Sequence, residues 1–383
     1  MKYVMELTNL QEKGLKLACE RYKNKEPYTV IAGYAGTGKS TLVEFIIDAL
    51  GLYSDEVAYV AYTGKASLVL QNKGCYGAMT SHKLLYNTKE RIDGTYEHIP
   101  KDKFDEPYKL IIVDEISMLP DELWQLLLSH KTPIIALGDS FQLPPIGDDN
   151  HVLDKPHIFL DEVMRQAKEN PIIRLSMDIR EGRWVEYGGP KEARIMHKED
   201  VSSRLLIGAD QVLCGKNSTR HSVNNQMRRY KWGDKYSDSP IDGDKVICLK
   251  NMWGTLSDDG SPLINGMIGK INNVKIKDSK YFHPQLKAKF ASECNGLFHS
   301  MSIDYQLITT GEPTINKNNW HKYPKQIRPY EFAYGDCITV HKSQGSQWDK
   351  VLIFDEWLGD RQYHARWLYT GITRAAEKVV IAR

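Results

Sequence analysis

Over the first 160 residues, short apolar runs alternate with amphipathic stretches, the pattern of a parallel sheet covered by helices. The runs at 28–32, 57–61, 110–113 and 134–137 are the candidate strands, and each ends in a Gly, Thr or Asp cluster. In open sheets of this kind ligands collect at the carboxyl ends of the strands, so chemistry is sought there.

Two stretches interrupt the pattern. At 87–107 the periodicity fades into "NTKERIDGTYEHIPKDKFDEP", a polar insert whose Asp93-Gly94 pair is a hairpin turn signal. From 243 to 330 short β-like runs ("DKVICLKN", "GKINNVKI", "SMSIDYQLI") are separated by Gly, Asn, Asp and Pro, which predicts a small all-β insertion. The α/β signal returns in "CITVHKSQG" and "KVLIFD". The expected organisation is therefore one α/β domain over 1–86 and 108–157 interrupted by 87–107, and a second over 158–242 and 331–383 split by 243–330.

Composition narrows the function classes mainly by exclusion. The net charge of +2 carries no polybasic arm, so a nucleic-acid site would have to be a local groove. The six cysteines (Cys19, Cys75, Cys214, Cys248, Cys294, Cys337) show no CxxC pair, and free thiols in a reducing compartment are expected. No run approaches the roughly 20 apolar residues of a membrane span, and the first ten residues lack a signal-peptide core. An intracellular protein without a membrane partner is expected.

The strongest chemical signal is "GYAGTGKST", which matches GxxxxGK[ST] between a β-like run and the helical "LVEFIIDAL". Backbone N–H groups of Gly33, Ala35, Gly36, Thr37, Gly38, Lys39, Ser40 and Thr41 can curl around phosphate oxygens at a helix N-terminus. Lys39 would reach the β- and γ-phosphates of ATP, and Ser40 would place its hydroxyl on Mg²⁺. The partner motif is "LIIVDEIS": Asp114 ends an apolar strand and can hold the metal through its hydration shell, and Glu115 is placed to polarise the attacking water. These motifs point to nucleotide binding and hydrolysis, without saying what the hydrolysis drives.

The remaining motifs, in order, resemble the RecD-like (1B) branch of the superfamily-1 helicases, in the compact Dda-type form found in a phage member. The resemblance covers nearly the whole chain. It implies two RecA-like P-loop domains, a 1B pin-type insertion at 87–107, an SH3-like 2B domain at 243–330, and ATP-driven 5′-to-3′ movement on single-stranded DNA with duplex unwinding. "LTNLQ" looks like the Q motif, with Gln11 reading adenine. "AYTGKAS" and "TSHKLL" look like DNA-contacting motifs carrying Thr63, Lys65, Thr80 and His82. "GDSFQLPPIG" is similar to motif III, with Gln142 sensing the γ-phosphate and Pro144 turning toward DNA. "LDEVMRQ" and "LYTGITRA" supply Arg165 and Arg374 as arginine fingers. "ITVHKSQGSQWDKV" supplies His341 and Lys342 toward DNA, and Gln344 and Gly345 toward the nucleotide. The group commonly carries Glu where Gln347 stands, so Gln347 is left out of the catalytic set. Tyr96 and Phe104 are the aromatic pin candidates, since base stacking is worth about 1–3 kcal/mol.

The implied partners are single-stranded DNA and its junctions with duplex, with room for a single-strand-binding or replisome protein, and a monomer is expected. Two other readings share the ATPase motifs: a translocase that displaces bound proteins without unwinding, and a nucleotide-dependent DNA-binding switch. A nucleotide kinase would lack the second α/β unit that ends in the "TRA" motif.

Overall fold

The computed structural model describes residues 7–90, 96–144, 151–163, 169–183, 185–258, 260, 262–277, 284–293, 296–315 and 328–383. They form two compact units. One comprises Met1–Tyr86, Pro100–His197 and Gln344–Arg383; the other comprises Asn87–Ile99 and Lys198–Ser343.

The first unit is built on a six-stranded sheet ordered β3-β2-β6-β7-β1-β8, with β1 at Tyr28–Gly33, β2 at Val57–Ala61, β3 at Met79–Thr80, β6 at Leu110–Val113, β7 at Ile134–Gly138 and β8 at Ile158–Leu160. Every pairing in it is parallel. Continuous apolar strands are what such a sheet requires, because both faces are covered. One face takes Val30, Ile111, Val113, Ile134 and Ala136 with Trp124 and Leu127. The other takes Ile31, Leu110, Ile112, Ile135 and Leu137 with Ala18, Leu42 and Ile46. Helices α1 (Asn9–Lys23), α2 (Lys39–Leu50), α3 (Gly64–Asn72), α4 (Ser81–Leu85) and α5 (Asp121–Ser129) carry the connections. The same unit holds three more parallel strands, with β20 (Ala375–Ala382) between β19 (Trp348–Phe354) and β9 (Ala193–Met196), and the helices Pro171–Arg180 and Arg361–Ile372.

In the second unit β10 (Gln211–Cys214) pairs in parallel with β18 (Cys337–Thr339). An antiparallel sheet runs β16-β15-β14-β11-β17, made from Leu297–Asp304, Gln285–Ser292, Ile268–Lys277, Lys245–Cys248 and Phe332–Tyr334. Phe290, Phe298 and Phe332 are buried in its core. Arg228, on the helix Asn217–Trp232, makes two 2.9 Å bonds to the carboxylate of Asp244, and both side chains are buried. A short pair joins β12 (Met252–Leu256) to β13 (Pro262–Leu263).

In the polar insert β4 (Tyr86–Glu90) and β5 (Tyr96–Pro100) form a two-stranded sheet. It ends earlier than the predicted 107. Lys101 is already tied back to the first unit, its amide donating to Leu85 and its ammonium to Lys83. The two units also cut across the expected domain borders, because residues 344–383 pack with the N-terminal sheet's unit through the helix Arg361–Ile372. Among the described residues the cysteines are unbridged, and no helix is long and apolar enough to cross a membrane.

Candidate nucleotide site

The phosphate loop lies between β1 and α2. Gly36 and Gly38 hold φ of 77° and 79°, left-handed backbone that a Cβ would strain. At Gly33 a Cβ would lie 2.7 Å from Thr37 Oγ1 and 2.8 Å from the Leu160 carbonyl, so the first loop glycine is required by the close approach of β8. The Lys39 ammonium donates to the carbonyls of Gly33 (2.7 Å) and Tyr34 (2.9 Å), and Thr37 Oγ1 also donates to Tyr34 (2.9 Å). Ser40 is exposed in the first turn of α2.

Asp114 and Glu115 follow β6. The Glu115 amide donates to Asp114 Oδ1 (2.9 Å), and Glu115 itself takes φ of 53°. Burial and the neighbouring Glu115 charge push the Asp114 carboxyl above its ordinary range, while Lys73 and Lys39 oppose the shift. One carboxylate and one hydroxyl suit Mg²⁺, which keeps most of its coordination for water and phosphate.

Two side chains meet at Glu115. The buried Arg374 guanidinium comes within 3.6 Å of its carboxylate. Gln142, with its amide oriented by its neighbours, donates to Glu115 Oε2 (3.0 Å) and accepts from Arg374 Nη2 (3.1 Å). Arg374 also donates to the carbonyls of Thr370 and Ser346. The Walker-type acid, the motif III glutamine and the motif VI arginine thus form one bridged group.

Residues 9–194 match the AAA domain family, and residues 334–382 match the UvrD-like helicase C-terminal domain. The chain is 26% identical over 376 residues to the ATP-dependent RecD2 DNA helicase of Deinococcus radiodurans, covering 91% of this chain and 46% of that protein. It is 23% identical over 431 residues to the ATP-dependent DNA helicase dda of Enterobacteria phage T4, covering 96% and 97%. Over most of its length the chain is similar to these two helicases. A crystal structure of Bacteroides Pif1 bound to ssDNA superposes with a TM-score of 0.52 at 18% identity, covering 99% of this chain and 92% of the other, a likeness of fold. The chain spans about half the length of RecD2 and nearly all of the phage helicase.

The other residues that the resemblance named have the following neighbours. The Gln11 side-chain oxygen accepts from the Thr8 amide (3.0 Å) and its nitrogen donates to the Thr37 carbonyl (3.0 Å), bracing α1 against the phosphate loop. Gln344 donates to the Leu143 carbonyl (2.6 Å), and Gly345, at φ of 68°, packs close to Thr63 and Ala66; these contacts are with the motif III loop and α3. The Lys65 ammonium lies 3.9 Å from the centre of the Trp348 ring. Thr63 and Thr80 are N-caps, accepting from the amides of Ala66 and Lys83. His82 stacks on Tyr86. Pro144 follows Leu143, whose amide donates to Thr370 Oγ1 (2.9 Å). In the second unit Lys342 reaches Asn265 (3.4 Å), and burial lowers the pKa of both His341 and Lys342. Phe104, after β5, is half-buried against the first unit's core and stacks on His130 at 4.1 Å. Tyr96 opens β5. Arg165 lies outside the described residues.

Tyr369, Thr370, Arg366 and Asp139, none of them assigned a role by motif or spacing, tie the helix Arg361–Ile372 to the 139–143 loop. Asp139 stood in plain view inside the quoted "GDSFQLPP" and Tyr369 inside "LYTGITRA".

Proposed function

We propose that this chain is an ATP-dependent DNA helicase that moves 5′ to 3′ on single-stranded DNA and unwinds duplex ahead of it. The observation that carries the ATPase half is the Glu115–Gln142–Arg374 group beside the phosphate loop. A carboxylate poised for water, an amide able to report on the terminal phosphate and a cation for the developing charge are the parts phosphoryl transfer requires. Ser40 and Asp114 would hold Mg²⁺, which when bound neutralises charge on the phosphates. Arg165 is assigned as a second finger from its motif.

The DNA half rests on motif order and on the relatives, two of which are described as ATP-dependent DNA helicases. Thr63, Lys65, Thr80, His82, Pro144, His341 and Lys342 are the proposed DNA-facing set, with backbone capping at Thr63 and Thr80 fixing where their chain segments lie. The antiparallel sheet of the second unit is read as the SH3-like 2B domain, and the hairpin β4–β5 as the 1B pin, carried by Tyr96. Direction is taken from the family.

The test is ATP hydrolysis with and without single-stranded DNA, then unwinding of duplexes with a 5′ or a 3′ tail. DNA-stimulated hydrolysis and preference for the 5′ tail are expected, and Lys39→Ala should abolish both activities. Hydrolysis indifferent to DNA would reject the motor, and preference for the 3′ tail would reject the assigned direction.

A further inference from the structure

Tyr369 projects from the helix Arg361–Ile372 into the first unit and is almost wholly buried. Its hydroxyl accepts from the Ala35 amide of the phosphate loop (2.8 Å) and donates to Asp139 Oδ2 (2.5 Å). That order is fixed by proton count: the amide takes a lone pair of the hydroxyl, so its single proton goes to the carboxylate. Asp139 Oδ1 accepts from the Phe141 amide (3.0 Å), and the Phe141 ring meets Tyr369 edge-on at 5.2 Å. Neither Tyr369 nor Asp139 has a part in the hydrolysis chemistry assigned above.

We propose that Tyr369 and Asp139 form a positioning relay that orients the leading half of the phosphate loop for the terminal phosphate of a nucleoside triphosphate. This deepens the nucleotide reading and rests on it. The rest of the loop is braced at other points, by Gln11 on the Thr37 carbonyl and by Lys39 on the carbonyls of Gly33 and Tyr34. The Ala35 amide is turned toward Tyr369, and losing that acceptor would release one edge of the cradle while its other ties stay in place. The relay sits at the triphosphate end of the site. Burial pushes the Asp139 carboxyl up and Lys39, the residue that would reach the β- and γ-phosphates, opposes the shift, while Asp139 is three residues from Gln142 along the same loop. One helix therefore touches the phosphate loop through Tyr369, Arg374 just past its C-terminal end reaches the acid, and Arg366 and Thr370 fix the loop between them.

Tyr369→Phe tests this on the full chain, since it keeps the ring and its Phe141 contact and deletes only the hydroxyl. Binding of a non-hydrolysable ATP analogue and of ADP is measured by titration, beside KM and kcat for ATP and the melting temperature. The expected result is analogue affinity weakened about five- to tenfold, the usual range for stranding one buried amide, with KM following and ADP affinity nearly unchanged. Melting should stay close to wild type. Unchanged analogue affinity would overturn the relay, and so would equal losses for the analogue and ADP, which signify general loosening. Thr370→Val removes another hydrogen bond of the same helix, and an equal analogue-selective loss there would also overturn it, as an effect of helix seating. If Tyr369→Phe does not fold, Asp139→Asn must give the analogue-selective loss, and its failure to do so refutes the relay. Wild-type protein that binds no ATP would sink the nucleotide reading itself, an outcome seen before any variant is compared.

Discussion

Gln142→Ala is the sharpest probe of the bridged group. In the wild type the amide holds Glu115 at 3.0 Å and Arg374 at 3.1 Å, while the direct ion-pair distance is 3.6 Å. Without the amide, nothing separates carboxylate and guanidinium, and Glu115 is drawn onto Arg374 and away from an attacking water. Hydrogen bonds to charged groups are worth about 1.5–3 kcal/mol each. If one such interaction is lost from the transition state, kcat falls about 10- to 150-fold; if both are lost, about 150-fold or more. The ATP-binding ties through Lys39 and α2 are untouched, so KM should move much less than kcat. Steady-state hydrolysis at saturating single-stranded DNA gives both constants. A kcat at the wild-type level would refute the bridging role, and a loss confined to KM would place Gln142 in ground-state binding instead.

Gly33→Ala should lower stability by about 1–3 kcal/mol, because the new Cβ meets Thr37 Oγ1 and the β8 backbone at under 3 Å; an unchanged urea midpoint would show that β8 yields freely. Replacing residues 89–97 with a short glycine turn, which leaves Lys101 and Phe104 in place, should abolish duplex unwinding and retain DNA-stimulated hydrolysis, and loss of both activities would tell against strand separation by the hairpin. Asp355 gives a pH signature. Burial raises its carboxyl's pKa, but hydrogen bonds from His364 and Arg383 outweigh this and leave it lowered. A depressed folded pKa contributes stability above the unfolded value of about 3.9 and loses it as pH falls through the folded value. Asp355→Asn should therefore lower the melting temperature at neutral pH and show a shallower further drop below about pH 5; parallel curves for the two proteins would contradict this.

Much of the fold was determined by local pattern. A continuous apolar run such as 110–113 is stable only when both faces are covered, and a glycine loop followed by an amphipathic run can close only as strand, cradle and helix. Periodicity and punctuation thus sufficed to locate β1, β2, β6, β7 and the phosphate loop, and the charged strand end identified Asp114 and Glu115. What the tertiary structure decided is where flexible side chains direct their polar ends. Gln11 sits where a family motif expects a base reader, but its amide is claimed by Thr8 and Thr37, atoms brought close by the packing of α1 on β1 and α2. Phe104 lies in a polar stretch that reads as hairpin, yet the chain turns back at Lys101 and lays the ring on His130 from a distant loop. Tyr369 and Ala35 are 334 residues apart, and no spacing rule joins them; only the burial of one helix against the 139–143 loop brings hydroxyl, amide and carboxylate within hydrogen-bond reach. Strands and cradles arise from interactions between near neighbours in the chain, so the sequence alone determines them. Side-chain partnerships depend on contacts between distant segments, and they exist only once the units are packed.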